Sequence, residues 1–106
     1  MTYDRKIMIE LKALLKQRFS EEIEKVILYG SRVIGDADEY SDYDILIVLK
    51  HDYDWQYKYL IQDVCWEIDY KYDVLTDVKI ISLKELHSLR GKQPYIQNAL
   101  ENGVLI

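Results

Sequence analysis

Between residues 3 and 19, Ile7, Met8, Leu11, Leu14, Leu15 and Phe19 recur at helical spacing with Lys and Arg on the other side. This predicts an amphipathic helix whose apolar stripe is core packing. The period then changes. Lys25-Val26-Ile27-Leu28-Tyr29 is β-branched and aromatic and stops at Gly30, which reads as a first strand ending in a turn. Ser31 to Asp36 reads as a short turn or single helical turn closed by Gly35, and Asp44 to Leu49 as a central strand covered on both faces, because its apolar run is unbroken.

Residues 54 to 69 return to helical period with two stripes: Tyr57, Leu60, Ile61, Val64 and Ile68 on one side, and Trp55, Tyr59 and Trp66 almost opposite. The first stripe can pack on a sheet. The second needs either the C-terminal segment of the same chain or a partner to cover it. Val74 to Ile81 predicts a third strand, with Val74, Thr76, Val78 and Ile80 on one face and Leu75, Asp77, Lys79 and Ile81 on the other. Ser82-Leu83-Lys84-Glu85 is a capping box opening a helix that Gly91 can end. Pro94 and Gly103 bracket a last helix before the short apolar tail Val104-Leu105-Ile106. The order predicts an α/β fold, a small sheet with helices packed on it.

At 106 residues one core is expected, a single domain over 1–106. A hydrophobic fraction of 49% with a single proline excludes a disordered chain. No apolar run approaches the roughly 20 residues that span a bilayer, and the N-terminus lacks the apolar core of a signal peptide. With Cys65 alone and unable to form an internal disulfide, a cytoplasmic protein is expected. The net charge of −5 argues against long nucleic acid, which needs clustered Lys and Arg. Between residues 36 and 54, Asp36, Asp38, Glu39, Asp42, Asp44, Asp52 and Asp54 face only Lys50, a cluster that either binds cations or is solvated. His51 and His87 lack ligand-like spacing.

Within that cluster, Asp42 and Asp44 are spaced i, i+2 at the mouth of an apolar strand, so both carboxylates reach one point and repel. A divalent cation between them makes the arrangement favourable, and carboxylates completed by phosphate and water suit Mg²⁺. Gly30 permits close backbone approach and Ser31 offers a hydroxyl, so the first half of the motif can hold phosphate. Metal and phosphate together describe nucleotidyl transfer. The competing reading is a tight turn beside exposed acids.

The stretch GSRVIGDADEYSDYDILIVL resembles the signature GS-R-x-x-G…S-D-x-D of the minimal nucleotidyltransferases, in the DNA polymerase beta-like nucleotidyltransferase superfamily. The resemblance is strong over residues 26 to 49 and extends weakly to about residue 82. It implies a mixed sheet flanked by helices and transfer of a nucleoside monophosphate from ATP or another NTP, with two Mg²⁺ ions as cofactor. Gly30 and Ser31 would hold the triphosphate and Asp42 and Asp44 the metal. Arg32 would assist with phosphate or form a surface salt bridge. The third carboxylate is to be found among Asp69, Asp73 and Asp77; Asp77 is chosen because an aliphatic strand follows it, although Lys79 departs from that pattern.

The chain leaves no residues for a substantial acceptor-binding domain, so an acceptor on another protein is expected. The resemblance implies a helical HEPN protein as partner, in a toxin and antitoxin pair where AMP transfer neutralises the toxin. Trp55, Tyr59 and Trp66 are the candidate docking surface, and their helix is also a candidate oligomer contact. The rival functions are a binding module that acts by contact alone, and transfer to a small molecule such as an antibiotic.

Overall fold

A computed structural model of the chain describes residues 3–35, 37–38 and 41–106; Asp36 and Glu39 of the acidic cluster lie outside the described residues. The elements are α1 (Arg5–Phe19), β1 (Ile23–Tyr29), α2 (Ser31–Ile34), β2 (Tyr43–Leu49), α3 (Trp55–Tyr72), β3 (Thr76–Ser82), α4 (Leu83–Leu86), α5 (Pro94–Asn102) and β4 (Val104–Leu105). The strands form one mixed sheet in the order β3-β2-β1-β4. β1 is antiparallel to β2 and β4, whereas β2 and β3 are parallel. A parallel pair requires a long crossover, here α3.

Strand alternation sorts the core into two layers. Val26, Leu28, Ile45, Ile47 and Ile80 face Met8, Leu11 and Leu15 of α1 and Val64 and Ile68 of α3. Ile27, Leu46, Val48 and Ile81 face Ile96 and Ala99 of α5. Ile45, Leu46, Ile47 and Val48 are fully buried, each contributing about 1.5–3 kcal/mol, which accounts for the unbroken apolar run of a central strand. The same alternation puts Asp44 on the α5 side, at the start of β2.

Several boundaries differ from the sequence expectation. α3 continues to Tyr72, and Asp73 then turns into the left-handed region (φ 52°, ψ 48°), its N–H donating to the Asp69 carbonyl. β3 therefore starts at Thr76, not Val74. The Ser82–Glu85 capping box is present, but α4 stops at Leu86 instead of running to Gly91. The chain beyond it is pinned by Arg90, which donates to Tyr53 Oη and Glu85 through Nη1 and to the Ile80 carbonyl through Nη2. The apolar tail is an edge strand on β1, where the Ile106 N–H donates to the Val26 carbonyl at 2.9 Å.

Leu60 is exposed, so the inner stripe of α3 is Ile61, Val64, Cys65 and Ile68. The outer stripe is not covered by the C-terminal segment, because α5 lies on the opposite face of the sheet. Trp55, Tyr59 and Trp66 remain 75%, 54% and 47% exposed. Among the described residues no helix is long and apolar enough to cross a membrane.

Candidate active site

Gly30 joins β1 to α2 at φ 80° and ψ −155°, a backbone that side-chain-bearing residues rarely adopt. A Cβ at this position would stand 2.2 Å from Asp44 Oδ2, so the turn packs directly against that carboxylate. Antiparallel pairing puts Tyr29 opposite Asp44, and parallel pairing puts Asp77 opposite Asp44 on the other side. Both Asp44 and Asp77 are half-buried, while Asp42, just before β2, is exposed.

The three carboxylates share one field. Burial first, then the charges of Asp77 and Asp42, hold the Asp44 carboxyl above the ordinary aspartate range, while Lys79 pulls it down. Burial, followed by Asp44, Asp77 and Tyr95, pushes the Tyr29 hydroxyl up to about 12. The other two candidates for a third carboxylate lie on α3 and at its end, and the charge of Asp42 also reaches Asp69. Asp73 is the exposed C-cap of α3. Asp69 projects from α3 toward Thr76, on the sheet face away from Asp77, and keeps a buried Oδ1 without a hydrogen-bond partner.

Arg32 is buried at 7% exposure, not a surface group. Its Nε and Nη2 donate to the Ser41 carbonyl at 3.0 and 2.6 Å, and its guanidinium lies 4.0 Å over the Tyr43 ring. It thus ties α2 to the residue preceding Asp42. Ser31, half-buried, opens α2, and its carbonyl accepts from the Gly35 N–H. Cys65 is buried and its thiol is pushed up to about 12 by burial, which leaves it inert.

The sequence reading noticed Lys79 only as an irregularity. Its Nζ lies 3.1 Å from Asp77 Oδ1. Tyr29 was missed as a site residue altogether, since its place beside Asp44 comes from strand register. Adjacency to Gly30 was the one available signal.

An oxygen-only donor set at a crowded carboxylate site fits a hard cation. Among the described residues no three acidic, His or Cys side chains form a ready-made metal cage. Mg²⁺ does not need one, because it is usually held by one or two carboxylates together with waters and substrate phosphates. Asp44 with either neighbouring aspartate, Asp42 or Asp77, fits that pattern.

A glycine turn pressed onto a strand-borne aspartate, with a second aspartate opposite, agrees with the comparison to known proteins. The profile of the Nucleotidyltransferase domain matches residues 8–106. The chain belongs to the nucleotidyltransferase domain family. This nucleotidyltransferase is 34% identical over 100 residues to a Methanocaldococcus jannaschii protein named as a candidate protein adenylyltransferase, covering 94% of each chain. A second such protein of that organism is 31% identical over 94 residues, covering 78% of this chain and 61% of its own length. Among solved structures, a chain from a toxin-antitoxin crystal structure with AMP-PNP superposes with a TM-score of 0.61 at 16% identity, covering 97% of this nucleotidyltransferase and 72% of that chain. A chain from the complex of tri-AMPylated Shewanella oneidensis HEPN toxin with MNT antitoxin gives 0.50 at 15% identity, covering 93% and 70%. These likenesses confirm the mixed-sheet nucleotidyltransferase fold.

Proposed function

We propose that this nucleotidyltransferase moves AMP from ATP to a hydroxyl on a partner protein, and that the partner is a HEPN-type helical toxin that it neutralises. The observation that carries the reading is the placement of Asp77 beside Asp44 in parallel register, with Asp42 two residues earlier and Gly30 packed against the Asp44 carboxylate. The relatives named for protein adenylyltransfer, and structural neighbours in toxin-antitoxin complexes, support the substrate and partner.

Asp42, Asp44 and Asp77 would hold Mg²⁺, which when bound stabilises charge on the triphosphate and on the departing pyrophosphate. Gly30 and Ser31 receive the triphosphate at the turn, and Arg32 fixes the loop that carries Asp42. Asp77, half-exposed at the strand's start, accepts the proton of the acceptor hydroxyl. Trp55, Tyr59 and Trp66 on α3 offer the docking surface, with Tyr59 and Trp66 in edge-to-face contact at 5.7 Å beside a groove of about 410 Å³.

Calorimetric titration of ATP, with and without Mg²⁺, into wild type, Asp42→Ala, Asp44→Ala and Asp77→Ala tests the site. Mg²⁺-dependent binding weakened by all three substitutions supports the enzyme. Its absence in folded wild type favours the second reading, a module acting by contact alone, to which the engagement of Asp77 by Lys79 lends weight.

A further inference from the structure

Asp77 and Lys79 are spaced i, i+2 on β3, so both project to the α5 side of the sheet, where Lys79 takes a position in register with Leu46. Its neighbours on that face, Leu46 and Ile81, are buried and aliphatic. A lysine here is therefore a departure that places a cation directly on the third carboxylate. The Nζ–Oδ1 distance is 3.1 Å, and the side chains are 41% and 46% exposed.

Two properties of this pair matter together. An ion pair so exposed is weak, too weak to hold Asp77 against a divalent ion. The ammonium is a compact charge on a flexible stem and can leave without disturbing the strand. Another exposed cation, Lys84 of α4, stands 3.8 Å from Asp52 instead.

We infer that Lys79 is a displaceable stand-in cation on Asp77, which Asp77 exchanges for a divalent ion when the site takes one up. The inference rests on the reading of these three carboxylates as metal ligands. It makes Lys79 a positioning residue that tunes how readily the third ligand joins the site. Without it, the site would carry a fuller negative charge and take divalent ions more avidly.

Mn²⁺ is the probe, its free concentration read by electron paramagnetic resonance in titrations without nucleotide. Lys79→Met, of similar length and without charge, should raise Mn²⁺ affinity about three- to tenfold over wild type. Lys84→Met should leave it unchanged. In an Asp77→Asn background the gain from Lys79→Met should shrink to what the weaker pull of Lys79 on Asp44 leaves. Equal affinity of wild type and Lys79→Met would overturn the inference, as would a gain that persists undiminished with Asn at position 77. Asp44→Asn separates the two levels of argument. If it weakens Mn²⁺ while Lys79→Met does nothing, only the role of Lys79 falls. If Asp44→Asn leaves Mn²⁺ affinity intact, the metal site itself is wrong and the inference falls with it.

Discussion

The Asp44 carboxylate fills the space that a side chain on Gly30 would need, with Oδ2 2.2 Å from a Cβ at that position. The glycine is usually explained by phosphate approach, yet here it is required before any nucleotide arrives. Gly30→Ala adds the strain of φ 80° to this overlap. It should lower stability by roughly 1–3 kcal/mol and abolish ATP binding. Urea unfolding and nucleotide titration check both; full stability in the variant would refute the close packing.

Asp44 is stressed in the opposite sense. Its carboxyl is held above the ordinary range by burial, then by Asp77 and Asp42. A raised carboxyl pKa means that the folded state binds the proton more tightly than the unfolded state, so stability falls as pH rises through that window. Asp44→Asn should therefore unfold at higher urea than wild type at pH 7, an advantage that disappears under acid conditions where the wild-type aspartate is also neutral. Nucleotide transfer should be lost at every pH.

Glu85 gives the contrasting sign. Burial opposes its charge, but the Ser82 N–H, Tyr53 and Arg90 outweigh it and hold the carboxyl below the ordinary glutamate range. Its stabilisation is present above the unfolded pKa and lost as pH falls through the folded one. Glu85→Gln should cost on the order of 1 kcal/mol at neutral pH, with the difference from wild type closing in acid. Denaturation midpoints compared across pH test this.

The α3 stripe should separate docking from chemistry. Trp55→Ser with Trp66→Ser removes exposed aromatic surface without touching the core stripe of Ile61, Val64, Cys65 and Ile68. The double variant should bind ATP as wild type does and lose at least tenfold in affinity for the proposed partner protein. Unchanged partner affinity would move the interface elsewhere.

The half of the candidate site that lies within one continuous stretch has its local structure legible in the sequence. Gly30, Asp42 and Asp44 sit on a turn and a strand whose boundaries follow from glycine and from an apolar run, and local rules suffice for both. Asp77 could be selected but not proved, because its position beside Asp44 depends on how far α3 runs before the chain turns. That end point was missed: Asp73 in the left-handed region is a choice made by helix capping, and aspartate carries only a weak preference for it. The burial of Arg32, against the surface salt bridge that was one expectation for it, has a related reason. The cation–π contact with Tyr43 and the bonds to the Ser41 carbonyl depend on a loop path that composition does not reveal. The fate of the aromatic stripe needed the placement of α5 on the far face, a fact of topology.

The parallel pairing of β2 with β3 also has a kinetic side. β1 and β2 can close on each other across a short connection, but β3 must wait until the chain has traversed the whole of α3. Loop-closure entropy places the β2–β3 contact late, and the repulsion of Asp44 by Asp77 opposes that docking. During refolding, then, the recognisable half of the motif should exist well before the protein can bind a metal-nucleotide. Competence arrives with the β2–β3 pairing, so the site doubles as a reporter that the crossover through α3 has closed.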